Sequence, residues 1–407
     1  MVGCKDIEVR SVDHRRYGFE SVDHRDQSRP GLDGGRPGTM VAAAGAPDQG
    51  AEVQPFEIVE LKCCADGREN VLGDPADASL LQLGVVGGDV VIDIAYTGIC
   101  HTDIALLNNE WMEGIFPMVP GHEITGTVTA TGSEVTRHTV GDRVGVGCYV
   151  DSCRECENCL AGQEQHCQKG EVLTFGGRDY DGNPTYGGYS RQVVVDENYV
   201  LRIPDGLALD AAAPLLCGGI TMYTPLRHWN AGPDKLVAIV GMGGLGHLGI
   251  KLAHAMGAEV TVLSQSLAKR DDGLRFGADG YFATQDPATF DDLANAFDLI
   301  INTVSANLDI DTYLGLLRLD GVLVNAGITA EPSTFHVPLL GGSRRVITGT
   351  KNGSIAGTQE MLDFCAQQGI VAEIETISAH QTDKALERLE HGDVRYRFVI
   401  DAATFTA

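Results

Sequence analysis

Leu236-Val-Ala-Ile-Val-Gly241-Met-Gly243-Gly-Leu-Gly246 decides the fold of this chain. Five apolar residues in a row, with no alternating polar face, suit a strand covered on both sides in a parallel sheet. The glycines that follow open a helix expected to run through Ala255. Gly241 permits the tight turn, Gly243 lets backbone amides approach a pyrophosphate, and Gly246 lets the helix pack against the strand. The helix N-terminus adds N–H donors and partial positive charge. With Gly244 and Leu245 between them, these residues form a candidate dinucleotide cradle. An ordinary strand-to-helix turn is the plainer alternative.

Apolar runs recur downstream at Glu259–Leu263, 280–282, 298–302, 321–325 and 345–348, alternating with helical stretches. That alternation predicts an α/β unit with a doubly wound parallel sheet, assigned to residues 218–350. Upstream the pattern changes. Asp89–Tyr96 and Glu123–Ala130 alternate as half-buried strands, and glycines punctuate 141–147. A β-rich domain is therefore expected over 54–217. It also takes in 351–407, because Tyr396–Ile400 reads as a strand returning to it. Residues 1–53 repeat Ser-Val-Asp-His-Arg at 11–15 and 21–25 and carry no periodic apolar face. They are expected to form a disordered extension.

The tip of the second strand selects the nucleotide. An acid there would bind ribose hydroxyls. This chain has Ser264-Gln265-Ser266 followed by Lys269-Arg270. Hydroxyls and two cations suit a 2′-phosphate, which points to NADP(H) over NAD(H). The plain alternative for Lys269 and Arg270 is a solvated helix start.

Cys153-Arg-Glu-Cys156-Glu-Asn-Cys159, then Cys167, places four thiols on one short loop. Four thiolates close the shell of a tetrahedral zinc, so this site is read as structural. Two disulfides in a secreted protein are the alternative. A second, dispersed set is Cys100, His122 and Cys217. Two thiolates and an imidazole would leave a fourth position open on a zinc ion. Separation along the chain makes that set weak on spacing alone. Cys4, Cys63, Cys64, Cys148 and Cys365 remain and are read as inert thiols.

Composition narrows the partners. The formal net charge is -26, which repels nucleic acid phosphates and anionic lipid. No apolar run reaches the length of a membrane span, and no secretory leader pattern is visible, so a cytoplasmic location is expected.

Taken in order, Cys100-His-Thr-Asp103, Gly121-His-Glu-x-x-Gly126, the four-cysteine loop, Cys217 and the glycine turn resemble the zinc-dependent medium-chain alcohol dehydrogenases. Within them the chain is most similar to the NADP-dependent cinnamyl-alcohol-dehydrogenase-like branch. Residues 322–328 and 393–400 share that likeness, which covers nearly everything from about residue 54 onward. The resemblance implies a GroES-like catalytic domain beside a Rossmann domain, two zinc ions per chain, NADP(H) and a homodimer. It implies Cys100, His122 and Cys217 as ligands of the working zinc, with Glu123 beside that metal. It implies Thr102 as the group that passes on the substrate proton. Thr221, Thr303, Gly327 and Thr350 would lie near the nicotinamide, and Trp111 against the substrate. The activity implied is hydride transfer between NADP(H) and a primary alcohol or aldehyde, aromatic, allylic or aliphatic. Reduction of an activated C=C bond or an iminium is a second enzyme reading. A non-catalytic NADPH-binding zinc protein is a third. One departure stands out: many relatives carry a histidine where this chain has Ala105. A slower proton step or a shifted pH optimum is expected, without loss of hydride transfer.

Overall fold

A computed structural model describes residues 62–63, 70–71, 85, 87–329 and 331–405. The expected extension over 1–53 lies outside the described residues. The apolar run Leu236–Val240 is the strand at the centre of a parallel six-stranded sheet. The order across this sheet is Gly280–Ala283, Glu259–Ser264, Leu236–Val240, Phe297–Asn302, Leu317–Asn325 and Val346–Gly349. Every neighbouring pair is parallel. The chain winds outward from Leu236–Val240 to one edge, then returns to its other side at Phe297–Asn302. That reversal opens a crevice at the carboxyl ends of the two strands, and the glycine turn sits there. The helix Gly246–Ala255 follows. A Cβ on Gly246 would lie 2.1 Å from the Gly241 carbonyl oxygen, so only glycine lets the helix start this close to the strand.

The second sheet runs Ile374–Ser378, Arg397–Asp401, Asp89–Ile99, Ile124–Thr131, Arg143–Val146 and Leu201–Arg202, with Gln192–Asp196 also paired to Asp89–Ile99. Alternation in Asp89–Ile99 buries Val90, Ile92 and Ile94 on one face. The C-terminal strand does return: Phe398 pairs with Ile99 and Ile400 with Thr97. That pairing also explains a difference from the pattern reading. The strand expected to stop at Tyr96 runs to Ile99, because its last residues bond a partner some 300 positions away in sequence. The strand Ile374–Ser378 was not foreseen either. It is short and largely uncovered, and it takes shape by lying parallel to Arg397–Asp401.

Helix Ile355–Gln368 packs Met361, Leu362 and Cys365 into the same core as Ile220, Leu248 and Ile239 of the nucleotide-binding half. Ser354 caps it by accepting the Gly357 N–H at 3.0 Å, and Gly369 ends it in the left-handed region. Among the described residues no helix is long and apolar enough to cross a membrane.

Candidate metal centres and cofactor site

Cys100 ends the strand Asp89–Ile99 and caps the helix His101–Leu107. Asp103, three residues on, accepts the Cys100 N–H at 2.7 Å, a capping spacing that fixes the turn. The same carboxylate accepts the Gly121 N–H at 3.2 Å and the Tyr189 hydroxyl at 3.1 Å, and stands 3.4 Å from His122 Nδ1. One buried acid thus sets Cys100 and His122 against each other. Cys217 arrives from the start of helix Gly218–His228. Its sulfur lies 3.9 Å from that of Cys100. Ligand atoms of Cys100, His122, Glu123 and Cys217 all fall within 4.8 Å of one another, and all four residues are buried.

This donor set fits zinc. A tetrahedron of ligands about 2.3 Å from the metal has edges of about 3.8 Å, close to the observed sulfur separation. His122 Nε2 is buried with no hydrogen-bond partner, and so is Glu123 Oε2. Buried polar atoms are normally paired, so a polar atom left bare among thiols points to a ligand. Room for Glu123 comes from Gly98, where a Cβ would lie 2.0 Å from Glu123 Oε2.

The four-cysteine loop meets the same test. Cys153 and Cys159 sulfurs are 3.9 Å apart, and Cys156 and Cys159 sulfurs 3.5 Å. These are tetrahedral edges, not disulfide bonds, and the described cysteines are free. Backbone N–H groups of Cys153, Cys156 and Gln168 point at the sulfurs of Cys167, Cys153 and Cys156 at 3.4, 3.4 and 3.5 Å. Such donors favour thiolate over thiol.

Family comparison agrees with this geometry. Residues 87–205 match the alcohol dehydrogenase GroES-like domain family, and residues 244–367 the zinc-binding dehydrogenase family. The chain is 62% identical over 317 residues to NADP-dependent alcohol dehydrogenase C 1 of Mycolicibacterium smegmatis, covering 78% of this chain and 91% of that protein. The chain belongs to the zinc-containing medium-chain alcohol dehydrogenases. Aldehyde reductase YahK of Escherichia coli is 48% identical over 338 residues, covering 82% of this chain and 95% of that one. The crystal structure of CAD from Helicobacter pylori complexed with NADP(H) superposes with a TM-score of 0.74 at 39% identity, covering 79% and 92% of the two chains.

The glycine turn lies at the crevice between Leu236–Val240 and Phe297–Asn302. Thr303 sits at the mouth of that turn, its hydroxyl donating to the Val240 carbonyl at 2.7 Å. Gly327 follows the next strand, and its N–H reaches the Asn302 carbonyl at 3.0 Å. Thr221 lies one helical turn past Cys217, and Thr350 just after the edge strand. Thr102 Oγ1 is 3.6 Å from the Cys100 sulfur. Trp111 is half-buried, its ring 6.2 Å from that of His101. Ala105 is completely buried.

At the strand tip, Ser264 is half-buried, while Gln265, Ser266 and Arg270 are exposed. Ser266 accepts the Ala268 N–H at 3.4 Å. Lys269 reaches back toward the glycine turn. Its ammonium donates to the Met242 carbonyl at 3.0 Å, inside the glycine turn, and lies 5.2 Å from the Tyr396 ring centroid. Burial lowers its pKa.

Three residues went unassigned in the sequence and matter here. Asp103 was legible in principle, from its capping distance to Cys100. Arg397 was not. It is 6% exposed, donates to the Ile99 carbonyl at 3.1 Å and pairs with Glu123 Oε1. A Cβ on Gly244 would meet it at 3.0 Å, so its charge lies against both the glycine turn and the metal-site acid. Burial pushes the Glu123 carboxyl up to about 8, against the pull of Arg397. Cys148, read as an inert thiol, has its sulfur 3.8 Å from the carbonyl oxygen of Leu216, the residue before Cys217.

Proposed function

We propose that this chain is an NADP(H)-dependent zinc alcohol dehydrogenase that also works as an aldehyde reductase, acting on primary alcohols and aldehydes. The convergence of Cys100, His122 and Cys217 around a bare imidazole nitrogen, beside the dinucleotide crevice, carries this reading. Those three residues would hold the working zinc, with Glu123 as a further available donor. Cys153, Cys156, Cys159 and Cys167 would hold a structural zinc.

Zinc bound at the first site would polarise the substrate oxygen as a Lewis acid. The nicotinamide of NADP(H) would accept or give the hydride. The chain's own residues supply the rest. Asp103 holds the Cys100 backbone and the His122 ring in register. Thr102 takes the substrate hydroxyl proton. With Ala105 buried and unable to accept it, the route onward uses water or the exposed His101. Gly241, Gly243, Gly244, Leu245 and Gly246 line the pyrophosphate cradle. Ser264, Gln265, Ser266 and Arg270 lie where a 2′-phosphate would reach. Lys269 holds the Met242 carbonyl and adds positive charge close by. Thr221, Thr303, Gly327 and Thr350 flank the nicotinamide end.

The same reading assigns the GroES-like domain to 54–217 and 351–407 and the Rossmann domain to 218–350. It puts the enzyme in the cytoplasm. Exposed Leu319, Val337 and Val346, near the edge strand of the nucleotide sheet, support a homodimer.

An aldehyde panel with NADPH and NADH in parallel tests the function. NADPH is expected to be favoured by at least tenfold in kcat/KM, about 1.4 kcal/mol. Equal rates with the two cofactors would overturn the nucleotide assignment. Saturated aldehyde as the product from cinnamaldehyde would overturn the reaction type.

Asp103→Asn tests the metal reading separately. An asparagine cannot accept from Cys100, Gly121 and Tyr189 at once, because its NH2 would face one of those donors. Partners of this kind typically tune metal affinity, so the catalytic zinc should be held about 10–100-fold more weakly. Chelator competition on the purified protein measures this, and an unchanged zinc affinity would rule the role out.

A further inference from the structure

We infer that Tyr396 sets cofactor choice: its ring keeps the Lys269 ammonium on the glycine turn and its hydroxyl keeps Asp272 occupied, so that Lys269 stays available to the 2′-phosphate of NADP(H). Tyr396 is a positioning residue that acts through Lys269. The inference rests on the NADP(H) reading above.

Lys269 and Asp272 stand three residues apart where the helix Arg270–Arg275 begins. Side chains at that spacing are neighbours, and opposite charges there attract each other. Here they do not pair. The ammonium donates to the Met242 carbonyl at 3.0 Å and lies 5.2 Å from the centre of the Tyr396 ring, within cation–π range. Asp272 is taken by other donors: the Tyr396 hydroxyl at 2.7 Å, Arg395 at 2.9 Å and Arg275 at 3.2 Å. Lys269 is left half-buried, with no carboxylate paired to it among the described residues. A cation in that state favours an incoming phosphate, because charge-assisted bonds to phosphate are strong and no internal acid has to be displaced.

The ring itself has a fixed place. Tyr396 is 1% exposed. His247 stacks on it with centroids 5.1 Å apart, and Phe276 meets it edge-on at 5.4 Å. The Tyr396 N–H donates to the Glu373 carbonyl at 3.0 Å. His247 ties the stack to the glycine turn, its Nδ1 standing 3.2 Å from the Gly243 carbonyl oxygen. Take away the ring and the ammonium loses the surface that holds it on the turn. Take away the hydroxyl and Asp272 loses a donor. Lys269 and Asp272 then pair with each other, and that internal ion pair competes with the 2′-phosphate. The adenosine, ribose and pyrophosphate parts of the cofactor do not depend on this competition, so NADH binding is spared.

Calorimetric titration of the full, zinc-loaded chain with 2′-phospho-ADP-ribose and with ADP-ribose reads the 2′-phosphate directly, without turnover. The wild type is expected to favour the phosphorylated ligand by at least about tenfold in Kd. Tyr396→Leu should bring that ratio close to one. Tyr396→Phe, which keeps the packed ring, should lower it about threefold through the lost bond to Asp272. Adding Asp272→Asn to Tyr396→Leu should restore most of the preference, because an amide cannot form an ion pair with Lys269. Arg397 follows Tyr396 and lies against Gly244. A disturbance passed on to it weakens both ligands alike and cancels in the ratio, so loss of packing alone does not mimic the effect. A ratio in Tyr396→Leu within about twofold of wild type overturns the inference. So does a double variant that regains nothing. Should the leucine variant fail to fold, Tyr396→Phe decides, and a wild-type ratio there overturns the inference. Equal affinity of the wild type for the two ligands would instead overturn the NADP(H) reading itself.

Discussion

Cys217→Ser is expected to cut kcat/KM for aldehyde reduction by at least about 10³-fold and to lower bound zinc from about two ions per chain to about one. Lewis-acid activation contributes several kcal/mol to lowering the barrier, and each 1.36 kcal/mol is about tenfold in rate. Serine keeps the size of the side chain but not the soft thiolate that zinc prefers. Cys100 and His122 alone would then face a metal with one sulfur fewer. The fold should persist, because the strands Asp89–Ile99 and Ile124–Thr131, next to Cys100 and His122 in the chain, are paired independently of Cys217. The four-cysteine lobe should keep its own ion. Metal content and kinetics on one preparation decide the matter. Activity within tenfold of wild type at one zinc per chain would mean the dispersed cysteines are not the reacting centre.

The second large effect is on stability. Measured at a pH above about 8, where Glu123 is ionised, Arg397→Met leaves a buried carboxylate without its counter-charge, and breaking a buried ion pair from one side costs about 3–5 kcal/mol. Both partners are buried, and the guanidinium also holds the Ile99 carbonyl. A shift in the urea midpoint of this size at constant slope reports the loss. The double variant Arg397→Met with Glu123→Gln should recover a large part, since no charge then remains to be matched. NADPH affinity should fall in both, because Arg397 packs against Gly244 of the glycine turn. A loss below about 1 kcal/mol in the single variant would show that the pair carries little, as exposed pairs do.

The features legible in the sequence share one property: their chemistry is local. The four-cysteine loop could be read because its sulfurs lie within 15 residues, and a loop that short can turn them toward one ion. The glycine turn could be read because an apolar strand precedes it and a helix follows. The parallel sheet followed from apolar runs spaced by helical stretches. The Cys100, His122 and Cys217 set was different: spacing alone left it weak, and only resemblance to a family drew it together.

Tertiary structure decided what depends on partners far apart in the chain. Arg397 and Glu123 are 274 residues apart and meet because the last strand pairs with Asp89–Ile99. Lys269 looked like a phosphate ligand by its place after the second strand. Only the fold brings its ammonium also to the Met242 carbonyl of the glycine turn and to the Tyr396 ring. Cys148 carried no local signal, and only the fold sets its sulfur against the Leu216 carbonyl, one residue before Cys217. Pattern along the chain reports which faces are apolar and which turns are permitted. Which side chains share a buried space, and which polar atoms are left without partners there, is set by how the two sheets are joined.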